Sequence, residues 1–223
     1  MNSLPVEIKI SEDGSTTLYR TDMHEHYHSI HGAIQESEHV FIRSGLFCHT
    51  GNALTVLEVG FGTGLNAFLT LMHQADRRVV YHTVEKYPLA PEIIQKINYP
   101  GYFPTNVSKE LFLRLHEVPW GESVAITELF ELKKLCIDLL DFQAHDFYDL
   151  VYFDAFDPAK QPELWSDAVF KMLFEAMKPG GVLTTYSAKG AVRRSMMAAG
   201  FMVERIPGPP GKRQMLRAFK NID

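Results

Sequence analysis

Cysteine is almost absent from the 223-residue chain, with Cys48 and Cys136 the only two. Two isolated thiols cannot build a disulfide framework or a cysteine zinc site, so a reduced, cytoplasmic protein is expected. Long apolar runs are missing too: none approaches the ~18 residues that cross a bilayer. The first thirty residues carry acids and histidines where a secretory leader would be apolar. Neither Ser187 nor Ser195 sits on a Gly-x-Ser-x-Gly elbow, which leaves hydrolase chemistry without a nucleophile. No internal repeat or low-complexity tract is present, which excludes solenoids and propellers.

What remains is a chain long enough to bury roughly 70% of its unfolded surface without staples. A single domain over 1–223 is expected, with residues 1–50 an elaboration and 51–223 the core. The net charge is −5, which argues weakly against a polyanionic partner. The sum hides its distribution, because residues 1–177 carry −12 and residues 178–223 carry +7. A basic segment therefore sits on an acidic body. By itself such a segment reads more readily as a solvated face that keeps the protein soluble.

Periodicity organises the rest. Val6 to Tyr19 alternates about Glu12, Asp13, Gly14 and Ser15, which predicts a β-hairpin. A short polar helix is expected within 32–42. From Leu54 onward, short β-branched runs alternate with helical ones: strands over 54–59, 79–85, 133–138, 150–154 and 182–186, and helices over 65–72, 91–97 and 162–177. Strands separated by helices imply a parallel sheet with right-handed crossovers. Residues 201–206 and 214–219 are joined by a linker too short for a helix, so an antiparallel hairpin is expected at one edge. Residues 99–132 read weakly, apart from a helix near 109–116.

The first central strand ends in Glu58, Val59, Gly60, Phe61, Gly62, Thr63 and Gly64. Glycines at the carboxyl end of a strand let the backbone approach a ligand, and this is where open α/β sheets bind. The spacing is Gly-x-Gly-x-Gly; a dinucleotide fingerprint would require a third glycine at Leu65. A purely structural turn would look the same. Glu85 ends the next strand about 20 residues on, placed to accept from two ribose hydroxyls. Asp138 ends a third strand, where it could accept from an adenine amino group, and Asp154 ends a fourth, followed by Phe156 and Pro158.

Three acids at strand ends with a terminal antiparallel hairpin resemble the class I S-adenosylmethionine-dependent methyltransferases. That fold is α/β and Rossmann-like, with a mostly parallel seven-stranded sheet. A longer match is more specific. Phe153 to Trp165, together with Val59 to Asn66 and Gly211 to Met215, resembles the methyltransferase half of MnmC-type enzymes, which make 5-methylaminomethyl-2-thiouridine in tRNA. The likeness extends to Tyr27–Phe41 and is weakest over 99–132. No oxidase half follows Asp223, so the preceding aminomethyl uridine would come from a separate oxidase partner.

The resemblance implies S-adenosyl-L-methionine as cofactor, held by Glu58, Gly60, Phe61, Gly62, Thr63, Gly64, Asn66, Glu85, Lys86 and Asp138. It implies Asp154 as the catalytic residue and the tRNA anticodon stem-loop as partner. Phe156 is a candidate to stack on the base, and Lys160, Lys189, Arg193, Arg194, Lys212 and Arg213 are candidates for phosphates. With a reference pKa near ~3.9, Asp154 is expected to orient the amine without acting as its base. His24, His26, His28 and His31 are dense enough to suggest zinc, but no cysteine lies near and the resemblance implies no metal; a polar N-terminal lid is expected instead. Trp120 and Trp165 are expected to be packing residues. A small-molecule amine methyltransferase and a non-catalytic cofactor- or tRNA-binding module are the alternatives. A thermal shift should separate the nucleotide readings: stabilisation by S-adenosylmethionine and not by NAD is expected.

Overall fold

The computed structural model describes residues 4–103 and 107–222. The N-terminal segment forms a small antiparallel sheet of β1 (Val6–Ile10), β2 (Thr16–Arg20) and β3 (Glu25–His26). The hairpin lies where alternation predicts it, with Ile10 opposite Thr16 across the tight turn. Next come α1 (Ala33–Ser37) and a π-helical continuation over Glu38–Arg43. A short polar helix is expected here, and within it Glu36 and Ser37 are buried.

The main sheet is built from β4 (Ala53–Val59), β5 (Arg78–Val84), β6 (Ser123–Thr127), β7 (Phe130–Leu135), β8 (Tyr148–Phe153), β9 (Met177–Thr185), β10 (Met202–Pro207) and β11 (Gln214–Phe219). Their order is β10-β11-β9-β8-β4-β5-β7-β6. The five central strands are parallel, and the β10–β11 hairpin closes one edge antiparallel, as expected. The sheet has eight strands, one more than expected. The extra strand is β6, antiparallel to β7 at the other edge. Only Ile126 of β6 is buried, so it carries little of the apolar signal that marks an interior strand.

The helices are α2 (Leu65–His73), α3 (Pro91–Ile94), α4 (Ser108–Glu117), α5 (Asp167–Ala176) and α6 (Gly190–Ala198). The expected helix over 162–177 is two pieces, a 3-10 turn at Pro162–Trp165 and α5. Ser166 separates them with an extended backbone, and its hydroxyl caps α5 by accepting the Val169 N–H at 3.4 Å. Gly180 and Gly181, which follow the expected helix, lie inside β9, and the β8–β9 register shifts between Tyr148 and Leu150.

Burial on both faces explains the near-continuous apolar strands. Along β8, Leu150 and Tyr152 join the layer containing Phe41, Phe68 and Phe112, while Val151 and Phe153 join the layer containing Trp165, Phe170 and Met196. Asn98 ties the small sheet to this frame. Its Oδ1 accepts from the Thr16 N–H and hydroxyl, each at 2.8 Å, and its Nδ2 donates to the Gly14 carbonyl at 2.9 Å. Asn98→Ala should lower stability by about 1–3 kcal/mol and speed limited proteolysis within residues 5–31. Unchanged cleavage would show that the small sheet is held elsewhere.

Candidate functional site

The order of strand addition switches sides about β4, which pairs parallel with β5 on one side and with β8 on the other. Such a switch point opens a crevice at the carboxyl ends of the strands. Backbone hydrogen bonds keep those ends level: the Gly60 N–H reaches Val84, the Glu85 N–H reaches Leu135, and the Asp154 N–H reaches Val59. A cavity of about 460 Å³ lies there, walled by these strand ends and by the N-terminal segment.

One side of the cavity is lined by Gly60, Phe61, Gly62, Glu85, Lys86 and Asp138. Glu85 is fixed by two backbone donors, Gly62 N–H to Oε2 at 3.0 Å and Tyr87 N–H to Oε1 at 2.8 Å. A carboxylate accepts about four hydrogen bonds, so capacity remains beyond these donors for a ligand hydroxyl. Burial pushes its pKa up, against the pull of those N–H groups. Asp138 caps a short 3-10 turn by accepting the Leu140 N–H, and pairs with Lys86 Nζ at 2.7 Å. That hydrogen bond holds it below the usual carboxylate range. Gly62 has φ +48°, and a Cβ there would stand 3.0 Å from the Tyr27 ring. The loop can therefore be crossed closely only because it is glycine.

Four residues grouped with the cofactor by sequence do not line the cavity. Glu58 is wholly buried beneath it, surrounded by Thr83, Asn66 and Tyr81 but without a well-formed hydrogen bond among the described residues. Burial pushes its carboxyl well above the usual range. Thr63 faces the N-terminal segment, receiving the Tyr99 hydroxyl at 3.1 Å and meeting His28 Nε2 at 2.7 Å. Gly64 is the left-handed cap of α2. Asn66 turns to the other side, donating from Nδ2 to Asp154 Oδ2 at 2.8 Å. The ring of Phe61 packs against His116 and Trp120, at 5.1 and 6.0 Å between centroids.

Asp154 lines the same cavity, beside Gly60, together with Phe156, Tyr186, Glu36 and Lys212. Burial pushes its carboxyl up to about 7; Asn66 and Lys212 pull down and Glu36 pushes further up. Phe156 meets Tyr27 edge-on at 5.0 Å, with the Arg20 guanidinium 5.8 Å from its ring. Trp165 packs in the core and donates to the Phe156 carbonyl.

The expected phosphate contacts divide. Lys212 points inward and pairs with Glu36 at 2.6 Å, and Lys189 is held by Asp157 at 2.5 Å. Lys160, Arg194 and Arg213 are exposed and Arg193 is half-buried. The histidines diverge: His24 and His26 flank Tyr19, His31 meets Glu12, and His28 is buried against Thr63. Burial drives His28 down to about 4, so it stays neutral. Arg20, Tyr27, Glu36 and Tyr186 line the cavity and were not singled out as site residues by sequence; His28, weighed there only as part of a histidine cluster, lines it too. Tyr186 directly follows β9, so the strand-end rule applied to acids would have found it if extended to aromatics.

Residues 106–221 match a family described as S-adenosyl-L-methionine-dependent methyltransferase, slightly more than half the chain. The chain belongs to that family. Among curated relatives, 96% of the methyltransferase aligns at 32% identity with the tRNA 5-methylaminomethyl-2-thiouridine biosynthesis bifunctional protein MnmC of Burkholderia mallei. A second, from Pseudomonas paraeruginosa, is 34% identical over 85% of the chain. The chain spans about a third of the length of these relatives, 35% and 31% respectively. The crystal structure of MNMC2 from Aquifex aeolicus superposes with a TM-score of 0.77 at 29% identity, covering 98% of this chain and 71% of that one. A spermidine synthase from Thermotoga maritima shares the fold, with a TM-score of 0.60 at 14% identity, covering 100% of this chain and 72% of that one. Among the described residues no helix is long and apolar enough to cross a membrane.

The residues present fit S-adenosylmethionine. The methyltransferase offers a glycine cradle that a Cβ would fill, and a half-buried carboxylate oriented by backbone N–H groups just past the end of the adjacent strand. Glu85→Ala should weaken S-adenosylhomocysteine binding at least tenfold by calorimetry. Affinity within twofold of wild type would remove Glu85 from the cofactor site.

Proposed function

We propose that the methyltransferase methylates the primary amine of a 5-aminomethyl-2-thiouridine at the tRNA wobble position. The observation that carries this reading is the half-buried Asp154 carboxyl in the same cavity as Glu85, Asp138 and the glycine loop. The similarity to MnmC supports the choice of acceptor. Glu85 and Asp138 would hold the ribose and adenine, with Gly60 and Gly62 beside the methionine part. When bound, the cofactor supplies a sulfonium methyl, so the new N–C bond forms as the C–S bond breaks and its electron pair stays on sulfur.

The protein's task is the amine's proton, because an alkyl ammonium has no lone pair with which to attack. Moving that proton to a carboxylate costs roughly 9 kcal/mol at reference pKa values. With Asp154 pushed up to about 7, the cost falls to roughly 5 kcal/mol. The expectation that Asp154 is too weak a base is therefore replaced: burial makes it a proton acceptor. Asn66 fixes the carboxyl through Oδ2, leaving Oδ1 free for the amine. Phe156 offers an aromatic edge for a splayed base, and exposed Arg194 and Arg213 offer charge for flanking phosphates.

Only ionised Asp154 can take the proton, so activity should rise with pH through about 7 and flatten above it. Burial sets the position of this limb, with Asn66 and Lys212 lowering it and Glu36 raising it. Asp154→Asn should cut turnover by about 10²–10⁴ and abolish the limb, with cofactor affinity within a few fold. Mass analysis of nucleosides from tRNA carrying the aminomethyl group reads the product. No methyl gain with cofactor bound would remove the proposal. Charge reversal at Arg194 and Arg213 together should weaken tRNA binding and reduce its log-log salt slope by about 2, and an unchanged slope would remove these residues from the tRNA surface.

A further inference from the structure

Glu36 is an unusual acid for its place. It lies on a five-residue helix between two packed layers, 7% exposed, facing the cavity. Its Oε1 accepts the Ser29 N–H at 3.2 Å, and its Oε2 accepts from Lys212 Nζ at 2.6 Å. A carboxylate so placed requires a cation. The chain supplies one from 176 residues away, on the turn between β10 and β11.

The same ammonium stands over an aromatic face. Lys212 Nζ is 4.1 Å from the centroid of Tyr186, well within cation–π range. Tyr186 donates its hydroxyl to the Ala155 carbonyl at 2.9 Å and packs edge-on against Trp165. Its polar end is thus occupied by backbone, and its face is what the cavity meets. Asp154 completes the compartment and responds electrostatically to both Glu36 and Lys212. Two carboxylates from different elements and one ring face form a box for a primary alkylammonium, and in the free protein that ammonium is a lysine.

We propose that Glu36 and Tyr186 form the seat of the acceptor's ammonium beside Asp154, and that Lys212 occupies this seat as a stand-in until the acceptor displaces it. The inference rests on the proposed function, whose acceptor in its resting form carries the same functional group. Lys212 has a flexible stem on an exposed turn, and its displaced charge becomes available to a phosphate of the arriving tRNA. The seat also sets specificity. A cationic primary amine replaces Lys212 like for like, whereas a wobble substituent ending in a carboxylate would face Glu36 and Asp154 with the same sign of charge and be rejected.

Chemical rescue tests the seat without turnover. Lys212→Ala leaves Glu36 without its cation and should lower the melting temperature, and n-propylammonium should restore it where 1-propanol does not. The double variant Glu36→Gln, Lys212→Ala should show no ammonium-specific rescue. Equal effects of the ammonium and the alcohol on the single variant, or undiminished rescue in the double, would overturn the proposal. With tRNA, Glu36→Gln should raise KM at least tenfold while kcat falls less than threefold. Tyr186→Phe should keep KM near wild type and Tyr186→Leu should raise it at least fivefold; unchanged KM in both Glu36→Gln and Tyr186→Leu would also overturn the seat. Should wild-type protein transfer no methyl to the tRNA, the proposed function fails, while the rescue experiment still reads the ammonium seat.

Discussion

Burying one carboxyl where three strand ends converge is the constraint on which the rest of this structure depends. Asp154 follows β8 directly, beside the ends of β4 and β5, and an isolated charge cannot be desolvated there without penalty. Its neighbourhood meets that penalty in part. Asn66 reaches from α2 to donate to it, and Gly60 keeps the loop clear, since a Cβ at that position would stand 2.9 Å from the Asp154 carbonyl. Glu58, wholly buried nearby, makes ionisation of either acid harder for the other. The outcome is a carboxyl held near neutrality, the property a proton acceptor needs at working pH.

The N-terminal segment contributes a wall that the parallel sheet alone lacks. Tyr27 covers Gly62, Arg20 lies over Phe156, and Glu36 enters the cavity. His28 joins this wall to the glycine loop through Thr63, with Tyr99 donating to the same hydroxyl. Because burial holds His28 down to about 4, the junction is a neutral hydrogen bond across the physiological range and does not act as a pH switch.

The central frame was legible in sequence for physical reasons. Strands β4, β5 and β8 are buried on both faces and read as apolar runs, and acids at their ends stand out against that background. The half-exposed edge strand β6 lacks that contrast. Glu36 reads as one residue of a short polar helix; its burial, and its pairing with a lysine 176 residues away, come from the fold. Lys212 was grouped with phosphate ligands because charge counting sees sign and not direction, and only the fold turns it toward Glu36. The raised pKa of Asp154 was equally hidden, since it arises from burial beneath elements distant in sequence.

The central claim is that Asp154 exchanges its proton near neutral pH. The most direct measurement is a pH titration of its side-chain carboxyl by carbon-13 NMR in the free protein, assigned by comparison with Asp154→Asn. A midpoint near 7 is the result this account predicts; a midpoint near 4, the value of an ordinary solvated aspartate, would contradict it.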